Sequence, residues 1–598
     1  MRNVIWKKFI RWLCNVYRLV QVASLTVIHN SKTKFVKMNK KCSQCDVGFE
    51  FSDEDLLYLE RISPVYGDKK YTIPNPELCP DCRQHRRIAW RNERSLYRRK
   101  CSSSGKPIIA MYHEDHVFPV YDNDVWWGDS WDACDYGRDF NFERSFFEQI
   151  KELNDLVPHF ALAVATTTCE NSDYSNHAGY LKNCYLVYNT DYAERCMYSK
   201  GVNRCFDCLD CFKVYDSEAC YECMNSYNCK FCTYVWDSET TSDSQFCYNL
   251  TGCKNCFLSV NLQNQEYIFE NKKLSPEEWK KKVDEYRAQY SLEHLFERFL
   301  EMKARVVVKN INDQNTENCT GNYLVNCKNC EECYDCEYLE NSKHCYDLKK
   351  GDGVSYGNMD LAAFGVGVVD CYEGGTVGYN ANHCLFGENV WESFDVHYSM
   401  MCVNNCKNCF GCVGLKKKEY CILNKQYSKE EYEALVPRII EHMQKTGEWG
   451  EFFPIQMSPF GYNETMAQEY YPLNKEEVVA NEWKWKDKEE SDYREQTCEV
   501  LANIEDVDES ICDEILACEK TERNFKIQEA ELKFYKKRGL PIPRLCPDVR
   551  HLNRLKYRNP RKLWERECGK CGIEVKTSYK EGRSEKVYCE KCYLKEVY

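Results

Sequence analysis

Cysteines through the middle of this chain keep to one phase of a three-residue period. Thirteen cysteines stand between Cys169 and Cys256, and every interval between them is a multiple of three. A second block, Cys319 to Cys421, holds thirteen more in the same phase with a few slips, as between Cys402 and Cys406. A period of three fits neither the 3.6-residue repeat of a helix face nor the two-residue alternation of a simple strand. It predicts a stacked β-solenoid whose coils contain multiples of three residues and turn the same small side chain inward on each rung. Free cysteine is among the most buried residue types and packs as a small hydrophobe. Neighbouring Asn, Asp and Gly supply turns, and Tyr, Phe and Thr supply strand character.

The two blocks are copies. CKNCFLSVNLQNQEYIFENKKLSPEEW at 253–279 matches CKNCFGCVGLKKKEYCILNKQYSKEEY at 406–432, an offset of 153. Ser275-Pro-Glu-Glu and Ser428-Lys-Glu-Glu predict helix starts with serine N-caps, so a helix caps each block. Runs such as Cys205-x2-Cys208-x2-Cys211 and Cys327-x2-Cys330-x2-Cys333-x2-Cys336 also have chelating spacing. Metal loading or redox storage is therefore the rival to a packed core.

Cysteine pairs of another kind stand at the ends. Cys42-Ser-Gln-Cys45 is followed by Cys79-Pro-Asp-Cys82, and Cys568-Gly-Lys-Cys571 by Cys589-Glu-Lys-Cys592. Two residues between cysteines let both thiolates of one tight turn face a single ion, and two such turns close a tetrahedral site. The expectation is two structural zinc ions, with no open position for catalysis. The N-terminal unit KCSQCDVGFEFSDEDLLYLE…ELCPDCRQHRR resembles the small bacterial "probable zinc-ribbon" domain family, with treble-clef-like character, over about residues 40–90. The whole chain resembles large cysteine-rich zinc-ribbon proteins of reduced-genome bacteria, through CPDCRQHRRIAWRNERSLYRRKC and FYKKRGLPIPRLCPDVRHLNRLKYRNPRKLW. These resemblances imply zinc binding and small folds, and no reaction.

Segment Cys79–Cys101 recurs without a gap at Cys546–Cys568, an offset of 467. The second copy carries Thr521 and Val549 where the first has Cys45 and Cys82, and Cys101-Ser-Ser-Ser104 stands where the second has Cys568-Gly-Lys-Cys571. The arginines are kept. Arg83, Arg87, Arg91, Arg94 and Arg98 are spaced to share one helix face, with Trp90 and Tyr97 beside them for stacking. Arg550, Arg554, Arg558 and Arg561 repeat the strip, flanked by Tyr557 and Trp564, and Pro560 is expected to end its helix. Arginine suits bidentate phosphate contacts, so the strips predict a nucleic-acid interface, RNA before DNA. Their alternative partner is the acidic stretch Glu505–Glu519.

The chain has 598 residues and a formal net charge of −13, which argues against coating nucleic acid over its whole surface. Residues 1–37 carry eight Lys or Arg and no acid. They read either as an amphipathic surface anchor or, preferred, as an extension before a start at Met38. The expected compartment is then the cytoplasm, where paired thiols bind metal more often than they form disulfides. No run of apolar residues is long enough to span a membrane. Segment 105–165, with Trp126-Trp127 and Trp131, reads as aromatic packing rather than a sugar or base platform. No phosphate loop, nucleophile elbow or His-Glu-x-x-His motif is present.

The expected fold is multi-domain, α+β to all-β, with zinc ribbons at both ends flanking a duplicated cysteine-lined β-solenoid with helical caps. In order these are an extension (1–37), a ribbon with basic helix (38–104) and an aromatic-rich domain (105–165). Block one (166–300) and block two (315–450) follow, then an acidic linker (451–510), a degenerate ribbon (511–566) and a C-terminal ribbon (567–598). The expected function is non-enzymatic nucleic-acid binding. A protein-assembly scaffold is the alternative, and a metal or thiol reservoir the third.

Overall fold

The computed structural model describes residues 37–349, 354–364, 367–369, 371–378, 381–487, 489 and 493–597. The extension before Met38 lies almost wholly outside them. The architecture is mixed α and β, and its largest sheet has ten strands. No helix among the described residues is long and apolar enough to cross a membrane.

The period of three has a backbone cause. Through the first block every third residue sits in the left-handed region: Arg204, Asp207, Asp210 and Lys213 have φ of 54°, 52°, 53° and 53°. Each such residue is a corner, and the two residues between corners are extended. Four sides of three return the chain to its starting edge, so successive strands pair in parallel with a step of twelve. Tyr188 pairs with Lys200, then Phe212, Met224, Trp236, Tyr248 and Val260. Single bridges repeat the same step on the other sides, as in Tyr185, Met197, Leu209 and Tyr221, or Glu194, Phe206, Glu218 and Lys230.

The residue after each corner points inward and is mostly small, with leucine at places such as Leu181 and Leu250. Cys196, Ser199, Val202, Cys205, Cys208 and Cys211 are all fully buried. Their polar atoms are satisfied by the coil itself. Cys205 Sγ meets the carbonyls of Asn203 at 3.4 Å and Val214 at 3.2 Å. Ser217 Oγ donates to Tyr215 O at 2.7 Å and accepts from Cys229 N at 2.9 Å. Thiol and hydroxyl thus fill equivalent places. Every described cysteine is a free thiol. The inner cysteines lie outside the groups whose atoms converge on a common ion position, so their close spacing is that of a packed core.

The second block follows the same plan less regularly. Its parallel steps are eleven between Gln314 and Val325, sixteen between Tyr346 and Ala362, thirteen between Leu361 and Gly374, and twelve again between Lys407 and Glu419. Both blocks finish on the helices expected. Pro276–Gln289 starts at a Ser275–Glu278 capping box and Lys429–Thr446 at a Ser428–Glu431 box. The second lays Tyr432, Val436, Ile439, Ile440 and Met443 on the last coils.

The connecting segments are packed rather than loose. Trp126, Phe146 and Phe160 are fully buried, in line with aromatic packing in segment 105–165. In the stretch expected as a linker, Phe452, Phe453, Tyr462 and Met466 are buried, and Met466 N donates to Arg91 O at 2.9 Å.

The interior makes a size prediction. Cys208→Ser keeps the carbonyl contact and is expected to cost under about 1.5 kcal/mol, whereas Cys208→Leu overfills the coil and costs about 1–3 kcal/mol. Urea midpoints of the two variants would show the order; a Leu variant as stable as the Ser variant would mean the interior is not tightly filled.

Candidate metal centres and the buried arginines

Four turns of one design occur in the chain. In each, the first cysteine N–H donates to a carbonyl five residues on: Cys42 to Val47, Cys101 to Lys106, Cys518 to Arg523 and Cys568 to Ile573, at 2.8 to 3.0 Å. The residue four places after that cysteine is left-handed in all four, as Asp46, Gly105, Glu522 and Gly572. This conformation lets the chain turn back beneath the two ligand positions.

Two of the four have complete ligand sets. Cys42, Cys45, Cys79 and Cys82 bring their Sγ atoms within 4.8 Å of one another, as do Cys568, Cys571, Cys589 and Cys592. Cys45 and Cys79 are 3.7 Å apart, and Cys571 and Cys589 3.8 Å. Thiolates at tetrahedral corners about 2.3 Å from an ion stand about 3.8 Å from one another, so both sets fit a closed four-sulfur site. The N–H of Cys79 donates to Cys42 Sγ, and that of Cys589 to Cys568 Sγ, each at 3.2 Å. Burial opposes ionisation of Cys568, but the N–H groups of Cys589, Cys571 and Lys570 prevail and hold it at about 6. Cys79 is drawn down to about 5, chiefly by the Cys82 thiol, and Cys82 is pushed up by Cys79. Only a cation lets all four ionise together.

The other two turns lack ligands. Thr521 and Val549 stand beside Cys518 and Cys546, as the sequence repeat indicated. The fourth turn extends further than the sequence reading took it. Asp122 N donates to Cys101 Sγ at 3.2 Å, in the manner of Cys589 on Cys568, so Asp122 and Val125 occupy the places of Cys589 and Cys592. Continuing the 467-residue offset past Cys568 would have found them. The order of sites along the chain is therefore complete, incomplete, incomplete, complete.

The arginines do not form the strip expected. The first helix is only Pro80–Ile88 and the second Pro547–Leu555. The first is capped at Ala89, and the chain then turns at Asn92, whose side chain takes the Ser95 N–H at 2.9 Å. Arg91 and Arg94 follow in loop and Arg98 lies on the strand Tyr97–Lys100, so the five share no helix face. The second helix ends well before Pro560.

Nor do they face outward. Arg83 and Arg87 are each 1 % exposed, Arg550 6 % and Arg554 3 %. Arg83 Nε donates to Asp360 Oδ2 at 2.8 Å and Arg87 Nη2 to Asp360 Oδ1 at 3.3 Å. Arg86 reaches Glu373 at 2.5 Å. In the other copy Arg550 donates to Asp210 Oδ2 at 2.7 Å, and Arg554 Nη1 bridges Asp210 at 3.0 Å and Glu222 at 2.8 Å. All four carboxylates stand at left-handed corners. Asp210 and Glu222 are one coil apart in block one, and Asp360 and Glu373 one coil apart in block two. The acidic stretch Glu505–Glu519 is not their partner.

The remaining strip residues are also engaged. Arg91 is held by Glu93 at 2.7 Å and Thr376 at 2.6 Å, and Arg94 by Asp548 at 2.8 Å over the Tyr188 ring. Arg561 bonds Asp335 at 2.7 Å, and it and Arg558 lie on the Tyr470 ring. Trp90 is buried against Phe453, and Tyr97 donates to Glu464. Arg98 alone among the named arginines is exposed. Burial pushes Glu222 up to about 7 despite Arg554, whereas Arg83 and Arg87 overcome burial to hold Asp360 below the usual carboxylate range. Sequence reasoning missed these carboxylates because Asp and Glu at turn corners are ordinary there.

No protein-family model matches the chain, and no curated protein matches it.

Removing Asp210 leaves two buried guanidinium groups short of a partner, so Asp210→Ala is expected to cost about 3–5 kcal/mol. Arg98→Glu should stay within about 0.5 kcal/mol of wild type, as exposed changes do. Thermal and urea unfolding check both; a mild Asp210→Ala would mean the bridges do not hold the blocks.

Proposed function

We propose that this protein is a non-enzymatic, zinc-stapled scaffold for protein assembly, built from two β-solenoids locked together by two zinc-ribbon units. The carrying observation is the crossed docking of the arginine helices. The N-terminal unit sets Arg83, Arg86 and Arg87 on block two, and the C-terminal unit sets Arg550 and Arg554 on block one. Each unit also pairs a strand with the segment leading into the opposite choice of block. Val120–Tyr121 lies parallel to His159–Phe160, ahead of block one, and Lys586–Tyr588 to Val307–Lys309, ahead of block two. Each unit therefore makes contacts beyond the block its helix docks on.

Zinc is the ion favoured for two closed sets of four thiolates. Such a site supplies folding energy and leaves no open position for substrate, so its role here is to hold the turn from which each helix projects. The solenoid reading rests on the twelve-residue step and the three repeated ladders. Nucleic-acid binding through the arginine strips loses its support, because charge neutralised by internal carboxylates releases no counterions from a phosphate chain.

Fluorescence anisotropy against single-stranded RNA and duplex DNA at low salt separates the readings. The scaffold reading expects no binding that weakens steeply with salt; such binding, abolished by Arg98→Glu with the fold intact, would overturn it. Sulfur-bound zinc should number two per chain, falling by one in Cys45→Ser and by one in Cys571→Ser.

A further inference from the structure

A third cluster of metal-binding groups lies away from the thiolate sites, where the N-terminal unit meets block two. His383 and Asp395 are stacked corners of successive coils, with φ of 51° and 53°, and His397 ends the strand Phe394–His397. One ligand atom from each of these residues lies within 4.8 Å of the others.

The hydrogen bonds fix what this cluster needs. His383 Nε2 is 2.9 Å from the carbonyl oxygen of Ile62. A carbonyl only accepts, so Nε2 carries the hydrogen and Nδ1 presents a lone pair. Nδ1 faces the Asp395 carboxylate at 2.6 Å. At that distance the cation between them is a proton; a metal ion bonded to both at about 2.0 Å would take the proton's place with the pair opened to about 3.3 Å. His397 distinguishes the two. It is 2 % exposed, its ring centroid is 5.5 Å from that of His383, its Nδ1 lies 3.4 Å from Tyr66 Oη, and its Nε2 is left without a well-formed hydrogen bond. A proton shared by His383 and Asp395 leaves that buried nitrogen unsatisfied, at a cost of about 1–3 kcal/mol. A metal ion takes all three.

We propose that His383, Asp395 and His397 form a divalent transition-metal site, with zinc the preferred ion and water in the fourth position. Two imidazoles and one carboxylate suit a borderline cation rather than magnesium or calcium. The Ile62 carbonyl on His383 is the outer partner that orients a ligating histidine. Because Ile62 closes the helix Asp53–Ile62, the ion would also tie the N-terminal unit to block two. Three protein ligands and a half-exposed aspartate leave the site open to an incoming ligand, unlike the four-cysteine sets.

The test uses the full-length chain with both thiolate sites loaded. Zinc added at neutral pH in competition with a chromogenic chelator should show a third ion bound per chain. His397→Ala should remove it and leave two, and Asp395→Asn should weaken it by at least about tenfold. Cobalt in the third site should add visible bands without thiolate charge-transfer intensity, which reports the cysteine sites separately. A wild-type chain that takes up no ion beyond the thiolate-bound ones would overturn the proposal. So would His397→Ala or, should that variant misfold, Asp395→Asn binding zinc as the wild type does.

Discussion

A side of three residues turned through a left-handed corner admits one inward side chain, and that limit governs the rest of the molecule. Four such side chains share the interior of each coil, so most are small. Cysteine, serine, threonine, valine and alanine fill most of it, with an occasional leucine such as Leu250 or Leu339, and cysteine is the one that is apolar enough to pack yet able to donate to the carbonyls lining the coil. The corners carry a cost of about 1–2 kcal/mol each when the residue is not glycine, and most are not: Tyr198, Lys213, Phe231 and Leu258 all adopt the conformation. Repetition offsets it. Through the first block most corner N–H groups find a carbonyl thirteen residues back, as Asp207 finds Glu194 and Asp216 finds Asn203, so the strain is spread along a ladder.

Corners also decide where charge can be buried. A side chain at a corner leaves the coil at its edge, between two outer faces, and stacks on the corner twelve residues away. At Asp210 and Glu222, and again at Asp360 and Glu373, two stacked carboxylates make a fixed target for two arginines one helical turn apart. The match of repeats is geometric, since a coil rise near 4.8 Å is close to the 5.4 Å pitch of a helix. Replacing such bridges with apolar groups would often be neutral or better for stability. What they add here is register: an arginine pair fits one carboxylate pair along the coil, and so fixes where each unit sits.

The legible and illegible parts of the sequence divide along this line. The cysteine period, both capping boxes and both complete thiolate sets depend on local spacing, and each was readable. The orientation of the arginines depended on what Asp360 and Asp210 would face, which lies more than 270 residues away in the first case. The first arginine helix is shorter than the arginine spacing implied: it is already capped at Ala89, and Asn92 then takes the Ser95 N–H in a turn. The expectation that like charges on one face need an outside anion was sound electrostatics, but the counter-charge is internal.

The complete ligand sets are the outer two of the four turns and the incomplete ones the inner two. Each unit contains two turns, and each needs one anchored by metal only where other forces are few. In the N-terminal unit the second turn, at Cys101, is held by strands running into the aromatic core around Phe160. In the C-terminal unit the first turn, at Cys518, rests beside Leu516, Leu532 and Tyr535, packed on Met197, Leu209 and Tyr221 of block one. Where apolar packing already fixes a turn, a lost thiolate costs little. The local clusters do not themselves distinguish the sites, since Cys42, Cys79 and Cys82 with Phe49 and Leu78 are matched in size by Cys518, Cys546 and Val549 with Phe525 and Leu545; in the second, Val549 stands at the place of a ligand cysteine, so apolar contact takes over from coordination.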